Sequence, residues 1–347
     1  MKEILPVIMT TAFERIAVID DYISFIWTAR YYAPGDFELV LPADPKYMEI
    51  IKADYYVVRD DDENTGIIET VKLQRDDDGR NILIVTGRFL SSILERRIIA
   101  TQTSVDGTIG DCVAQLLEDN IISPALADRE IANFVLGSTE VGGTMSAQYT
   151  GKNLLETVSD ICETYGLGMR VTLDSVNRFV FDLYKGTDRT YDQTANPWVV
   201  FSDKYDNLLS SEYEENYRTL KTAVLVAGEG EGLDRRTAWL SRGETGLERR
   251  EVYKDQRQLR SNGGEISADE YTAMLEEAGK ESLTDYTTAF SGTVYFDNIQ
   301  YKTDVFLGDL CVVENSAWGI FINSRLVEVI ESVSETGEHS IIPTFGI

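Results

Sequence analysis

The 347 residues contain one histidine, three cysteines and seven prolines. The lone His339 leaves no second imidazole for most zinc sites, and it confines any Ser–His or Cys–His machinery to one place near the end of the chain. Cys112, Cys162 and Cys311 are too widely spaced for a CxxC metal site or a disulfide framework, and they read as reduced, buried small hydrophobes. No apolar run approaches the ~18 residues of a membrane span. The opening MKEILPVIMTTAFERIAVID, cut by Pro6 and Glu14, is no signal peptide, so synthesis and folding in a cytoplasm are expected, with no membrane anchor. Basic residues are scarce as well. Against 59 Asp+Glu there are 32 Lys+Arg, a net charge of −27, and no basic cluster exceeds the pairs Arg96-Arg97, Arg235-Arg236 and Arg249-Arg250. Such a body is repelled by a nucleic-acid duplex.

What is present is the composition of a globular protein, with 43% hydrophobic residues and a length that implies two or more domains, since single cores stop growing near ~250–300 residues. Strand patterning fills the first hundred residues: Phe37–Leu41 alternates up to Pro42, Tyr55–Val58 is a short β-rich run, and Ile67–Leu73 alternates again. The acidic runs Asp60–Glu63 and Asp76–Asp78 fall between strands, and Asp78-Gly79 signals a hairpin turn. Phe89, Leu90, Ile93, Leu94 and Arg97 then change to helical spacing. Thr108 and Asp111 begin a helix whose stop signal is Asn120. A second helix has Asn153 as cap, Glu156 at the capping-box position and an apolar stripe from Leu154 to Tyr165 before Gly166. Strands at Met169–Leu173 and Arg178–Tyr184 follow. Beyond 205 the pattern is again β, at Thr222–Val226, Arg236–Leu240 and Glu251–Tyr253. One helix, capped by Ser267 and Glu270, interrupts it.

A faint internal repeat joins the two ends. Asp54-Tyr55-Tyr56-Val57-Val58 and Asp309-Leu310-Cys311-Val312-Val313 are each followed by a glycine loop (Gly66, Gly319) and a strand bearing a glutamate (Glu69, Glu328). Both then pass a turn glycine (Gly79, Gly337) and end on Gly87 and Gly346. The two β segments therefore look like copies of one another.

Chemical motifs are found and fail. Asp60, Asp62 and Asn64 start like a calcium loop, but the sixth residue is Thr65, Gly66 comes one late, and Val71 stands where the bidentate glutamate belongs. Val224–Gly232 runs like a strand into a dinucleotide loop, yet Leu233 replaces the third glycine and Glu229 and Glu231 would face the phosphates. A mobile acidic hairpin loop fits better. Cys311 and His339 could form a dyad only if their strands were neighbours; Cys112 and Cys162 lie on apolar helix faces. With 59 acids, close carboxylate pairs carry no signal for glycosidase chemistry. No catalytic residue, cofactor site or metal site is identified, so the chain is read as no enzyme.

The ordered set Phe37–Ala43, Gly66–Glu69, Gly87–Leu90 with Leu94–Ile99, Gly186–Thr190, Val200-Phe201-Ser202 before Asn207-Leu208, Leu307-Gly308-Asp309 and Pro343–Gly346 resembles the phage tail-tip or baseplate hub proteins. The likeness is to the compact hubs of siphophages of Gram-positive hosts, and to the amino-terminal part of tail-associated lysins. The resemblance implies a mainly β fold with α+β insertions, in which two tail-tube-like β-barrel or sandwich domains and smaller α+β and helical domains build a ring-forming trimer. The corresponding divisions are residues 1–105 (with 186–204 as a candidate to complete it), an α+β insertion at 106–185, a second tube-like domain from 205–255 and 291–347, and a helical insertion at 256–290. It further implies a homotrimer that joins the hexameric tail tube to a threefold tip. Its partners would be a distal tail protein or tail tube, the carboxyl-terminal end of the tape measure protein, and tip, fibre or receptor-binding proteins. DNA would pass through without specific binding, and the place would be the virion tail tip, assembled in the bacterial cytoplasm. A hub of a contractile bacteriocin or injection particle, and a carboxylate-based cell-wall hydrolase, are the alternatives. The chain stops at Ile347, where a lysin would continue into a peptidase or glycosidase domain.

Overall fold

A computed structural model describes residues 4–75, 79–208, 210–291 and 299–346, with only the backbone of residues 289 and 291. The turn acids 76–78 named above lie outside these residues.

The first lobe is a β-sheet unit with strands β1 (Val7–Met9), β2 (Arg15–Val18), β3 (Ser24–Arg30), β4 (Asp36–Pro42), β5 (Tyr56–Val58), β6 (Thr65–Arg75) and β7 (Asn81–Phe89), and the short helix α1 (Pro45–Ile50). Alternation places Phe25, Trp27, Phe37, Leu39, Leu83 and Val85 on the inner face, where all are buried. Gly87 is required for that packing: a Cβ there would stand 1.7 Å from the Ile67 carbonyl oxygen and 2.9 Å from the Phe37 ring. The helical spacing after Phe89 becomes a 3₁₀ segment over Leu90–Arg96 rather than an α-helix.

The α+β unit follows, with β8 (Thr103–Thr108), α2 (Ile109–Leu117), β9 (Phe134–Leu136), β10 (Thr144–Tyr149), α3 (Leu154–Tyr165), β11 (Gly168–Leu173) and β12 (Phe179–Tyr184). Thr108 and Asn153 cap as their positions imply, each side chain accepting from the first helical turn, and Gly166 ends α3 at φ 66°. Asn120 is no stop. It is buried inside a widened π turn (Glu118–Ile122), where its side-chain amide donates to the Leu116 carbonyl at 2.9 Å. The core of this unit is continuous with Val7, Met9, Tyr56 and Val58 of the first lobe.

The remaining strands are β13 (Val200–Ser202), β14 (Glu212–Asn216), β15 (Ala223–Ala227), β16 (Thr237–Ser241) and β17 (Glu251–Asp255). After them come α4 (Ala268–Lys280), β18 (Thr287–Ser291), β19 (Leu310–Asn315), β20 (Ile320–Ser334) and β21 (His339–Gly346). Two groupings differ from the sequence expectation. Residues 186–204 go to the second lobe: β13 lies parallel to β19, Asp188 bridges to Leu310, and Val199 and Phe201 enter the core formed with Phe290, Val313 and Phe345. Within 205–255 only β14 enters the large sheet. Strands β15, β16 and β17 pair among themselves, and α4 covers them through Tyr271 and Leu275 against Val224 and Val226. The helix and these strands thus form one inserted unit between β14 and β18.

The large sheet runs β14-β18-β21-β20-β3-β4-β7-β6-β5-β1-β2, with β19 on β20 and β13 on β19. Within it the antiparallel series β3-β4-β7-β6-β5 has the same order and directions as β14-β18-β21-β20-β19. The strands of the internal repeat, β5 and β19, hold corresponding positions. Even a β-bulge recurs, at Glu69 in β6 and at Val327 in β20.

Candidate functional site

The two series meet where β3 pairs with the far half of β20, over Ser24–Arg30 and Glu328–Ser334. At this seam the acidic run 60–63, which leaves β5, is held by four cations from four places. Arg15 of β2 reaches Asp60 at 2.7 Å, Arg59 forks onto Asp61 at 2.7 and 3.0 Å, Lys302 binds Asp62 at 2.6 Å, and Arg170 of β11 contacts Glu63. The run is therefore a clasp between both lobes and the α+β unit. The four consecutive acids gave no sign of this in sequence; the signal that was available is Arg59 standing directly before the run.

Beneath the clasp the charges are buried. The Arg59 side chain has no exposed surface; it also donates to Glu331 of β20 at 2.9 Å and lies 5.6 Å over the Trp27 ring. Lys302 donates to Glu331 at 2.7 Å. Burial favours the neutral Lys302, but Asp62 and Glu331 outweigh it and hold its ammonium above the usual range. Burial likewise pushes the Asp61 carboxyl up, and the Arg59 hydrogen bonds and charge overcome this to leave it below the usual value. His339 lies 4.0 Å from Glu331, and burial depresses its pKa. Three further ties complete the seam. Arg30 joins Asp36 and, at 2.7 Å, Glu328. Asp309 accepts from Arg189 at 2.6 Å and from the Thr187 amide at 2.8 Å. Tyr31, wholly buried, accepts from the Gly186 amide and donates to the Tyr184 carbonyl.

The motifs that failed on sequence are placed apart from any chemistry. Asp62 turns inward to the Asn64 amide and Lys302, so the calcium-like spacing serves the clasp. Among the described residues no group of three or more His, Cys, Asp or Glu side chains could hold a metal ion. The loop after β15 is tied down rather than mobile at Glu229, whose carboxylate accepts from the Ser261 amide and hydroxyl and whose amide donates to Tyr271. Those bonds from Ser261 lower its pKa. Cys311 pairs with Ser324 of β20 and His339 with Val333. Nine residues of strand separate them, ~30 Å at 3.3 Å per residue, so they form no dyad. Burial pushes the Cys311 thiol up, and that of Cys162 up to about 12. No helix among the described residues is long and apolar enough to cross a membrane.

What this arrangement does is join two tandem β series into one sheet through the β3–β20 pairing. The chain has the fold of a tail protein from Neisseria meningitidis MC58 (TM-score 0.60, 15% identity, covering 100% of this chain and 97% of that one). It also matches the 43 kDa tail protein of prophage MuSo2 from Shewanella oneidensis (0.58, 14%, 98% and 98%) and prophage tail protein gp18 from Listeria monocytogenes EGD-e (0.53, 13%, 99% and 94%). No curated protein matches it. The chain belongs to the Siphovirus ReqiPepy6 Gp37-like protein family, whose match runs over residues 5–347.

Proposed function

We propose that the protein is the baseplate or tail-tip hub of a phage tail, a trimer that joins the hexameric tail tube to the threefold tip and surrounds the path of the DNA. The observation that carries this reading is the repeated five-strand series. One chain with two similar sheet units lets three chains present six, which reconciles a sixfold tube with a threefold tip. In this reading the tube-like units are residues 4–89 and 186–216 with 287–346, and the units at 103–184 and 223–280 are insertions. The charge of −27 supports a conduit, because a like-charged wall does not retain DNA. Its partners would be a distal tail protein or the tube, the tape measure carboxyl terminus, and tip or receptor-binding proteins, in the virion after assembly in the host cytoplasm.

A structural rather than enzymatic role is supported by the seam. Its buried carboxylates are hydrogen-bonded to guanidinium or ammonium groups, and both Cys162 and Cys311 are held as thiols. Peptidoglycan zymograms with the purified chain should show no clearing; clearing lost on replacing one carboxylate would reverse the assignment. Cryo-EM of the intact tail tip tests the main reading. A threefold ring of this chain on the tube axis with an acidic lumen is expected, and a position off the axis or a basic channel would overturn it.

A further inference from the structure

The seam inside one chain contains a strand joint that has an unfinished twin. In β20, Leu310–Asn315 of β19 covers the edge of residues 320–325, and the same edge continues over Glu328–Ser334 to receive β3. In β6, β5 covers only Thr65–Ile67. From Thr70 to Arg75 that edge has no strand partner among the described residues, while β7 occupies the other edge. β14, which stands where β3 stands in the other series, ends the large sheet, and its outer edge has no strand partner among the described residues. Each chain thus has one closed joint and both halves of a second.

We infer that these two edges join one copy of the chain to the next, with Thr70–Gln74 of β6 pairing antiparallel to Glu212–Asn216 of β14 in a neighbouring copy. This rests on the ring reading above and adds its register. The bulges at Glu69 and Val327 align Thr70 with Glu328, which lie opposite Thr86 and Thr344. Phe37 opposite Trp27 and Phe290 opposite Tyr213 align β3 with β14. The internal joint sets Ile330 against Thr28 and Glu331 against Trp27. Carried over, it sets Lys72 against Glu214, Leu73 against Tyr213 and Gln74 against Glu212.

The side chains suit that register and no other. Lys72 meets a carboxylate, and Leu73, 57% exposed in the single chain, meets a tyrosine; both are favourable cross-strand pairs. A slip of one residue would turn every side chain to the wrong face. With Glu212, Glu214 and Glu215 in five residues, β14 repels a second β14 edge, whereas β6 offers Lys72 and Arg75. Open strand edges invite such pairing. The contact is head-to-tail, so it propagates around a ring, with the β3–β20 joint as its internal template.

Disulfide trapping in the full chain tests this. Gln74 and Glu212 are exposed, so Gln74→Cys/Glu212→Cys should fold, and the three native thiols are buried. Under mild oxidation the pair should give covalent species up to three chains, while each single variant and the opposite-face control Leu73→Cys/Glu212→Cys should not. Separately, Lys72→Glu should raise the concentration for half-assembly on the order of tenfold, and Lys72→Glu/Glu214→Lys should restore it. Oligomers that form without trapping, or that trap equally through the control, overturn the pairing and leave the ring reading intact. Absence of both oligomer and trapped species overturns the pairing, and the ring then stands or falls on the tail-tip map.

Discussion

Arg59 shows how much one side chain can hold at a buried seam. Its guanidinium satisfies Asp61 and Glu331 with no exposed surface of its own, so removing it takes the cation from Asp61 and leaves the buried Glu331 to Lys302 alone. Arg59→Met should cost about 3–5 kcal/mol in urea unfolding, and Arg59→Met/Glu331→Gln should cost less than the single change. Equal costs would mean that the two do not act together. His339 supplies a pH signature at the same place. Its pKa is lowered in the fold, so the unfolded chain binds more protons as pH falls below ~6.5. The stability it contributes is present above that value and lost as pH falls through the folded pKa. His339→Gln should therefore flatten the Tm decline between about pH 7 and 5; an unchanged slope would place the pH response elsewhere. Beyond Arg59 standing directly before the acids, little of this was legible beforehand, because Lys302 and Arg170 reach the run, and Glu331 reaches Arg59 and Lys302, only through tertiary folding.

Elements were legible where local chemistry decides them. The caps at Thr108, Asn153 and Ser267 and the αL glycine at 166 are contacts within a few residues, and the helices form where those residues place them. Asn153→Ala should thus cost about 1 kcal/mol, read by thermal unfolding, with the strand units unaffected. Tertiary partners decided the rest. Residues 186–204 could not be assigned from sequence because β13 is three residues long and finds its place through Asp309 and the Phe201–Phe345 contact. The repeat was visible, but its sequence alignment of Gly87 with Gly346 is one residue out of register. The bulges place Gly87 with Phe345, which explains why Gly87, and not Gly346, is pressed against backbone. Gly87→Ala should consequently be severely destabilising and Gly346→Ala mild, since the latter Cβ meets only Val327 methyl groups at 3.3 Å. Similar losses at both glycines would contradict that register.

At the scale of the whole molecule, the charge sets conditions on assembly. Copies carrying −27 each repel one another at long range, and the reading of a ring requires a large, comparatively neutral contact to outweigh this. The acids 60–63 are matched by cations within the chain. The excess must then reside elsewhere, and β14 carries three glutamates within five residues, at the edge that the proposed pairing sets against Lys72. Salt acts on these two contributions in opposite ways. It shortens the long-range repulsion, from a reach of ~30 Å at 0.01 M to ~8 Å at 0.15 M, and it weakens single exposed pairs such as Lys72 with Glu214, worth only ~0.2–1 kcal/mol. Repulsion between whole bodies involves many charges and the joint few, so self-association measured by light scattering should strengthen over that range. Association that weakens steadily with salt would mean that complementary charge rather than strand pairing and apolar contact closes the ring.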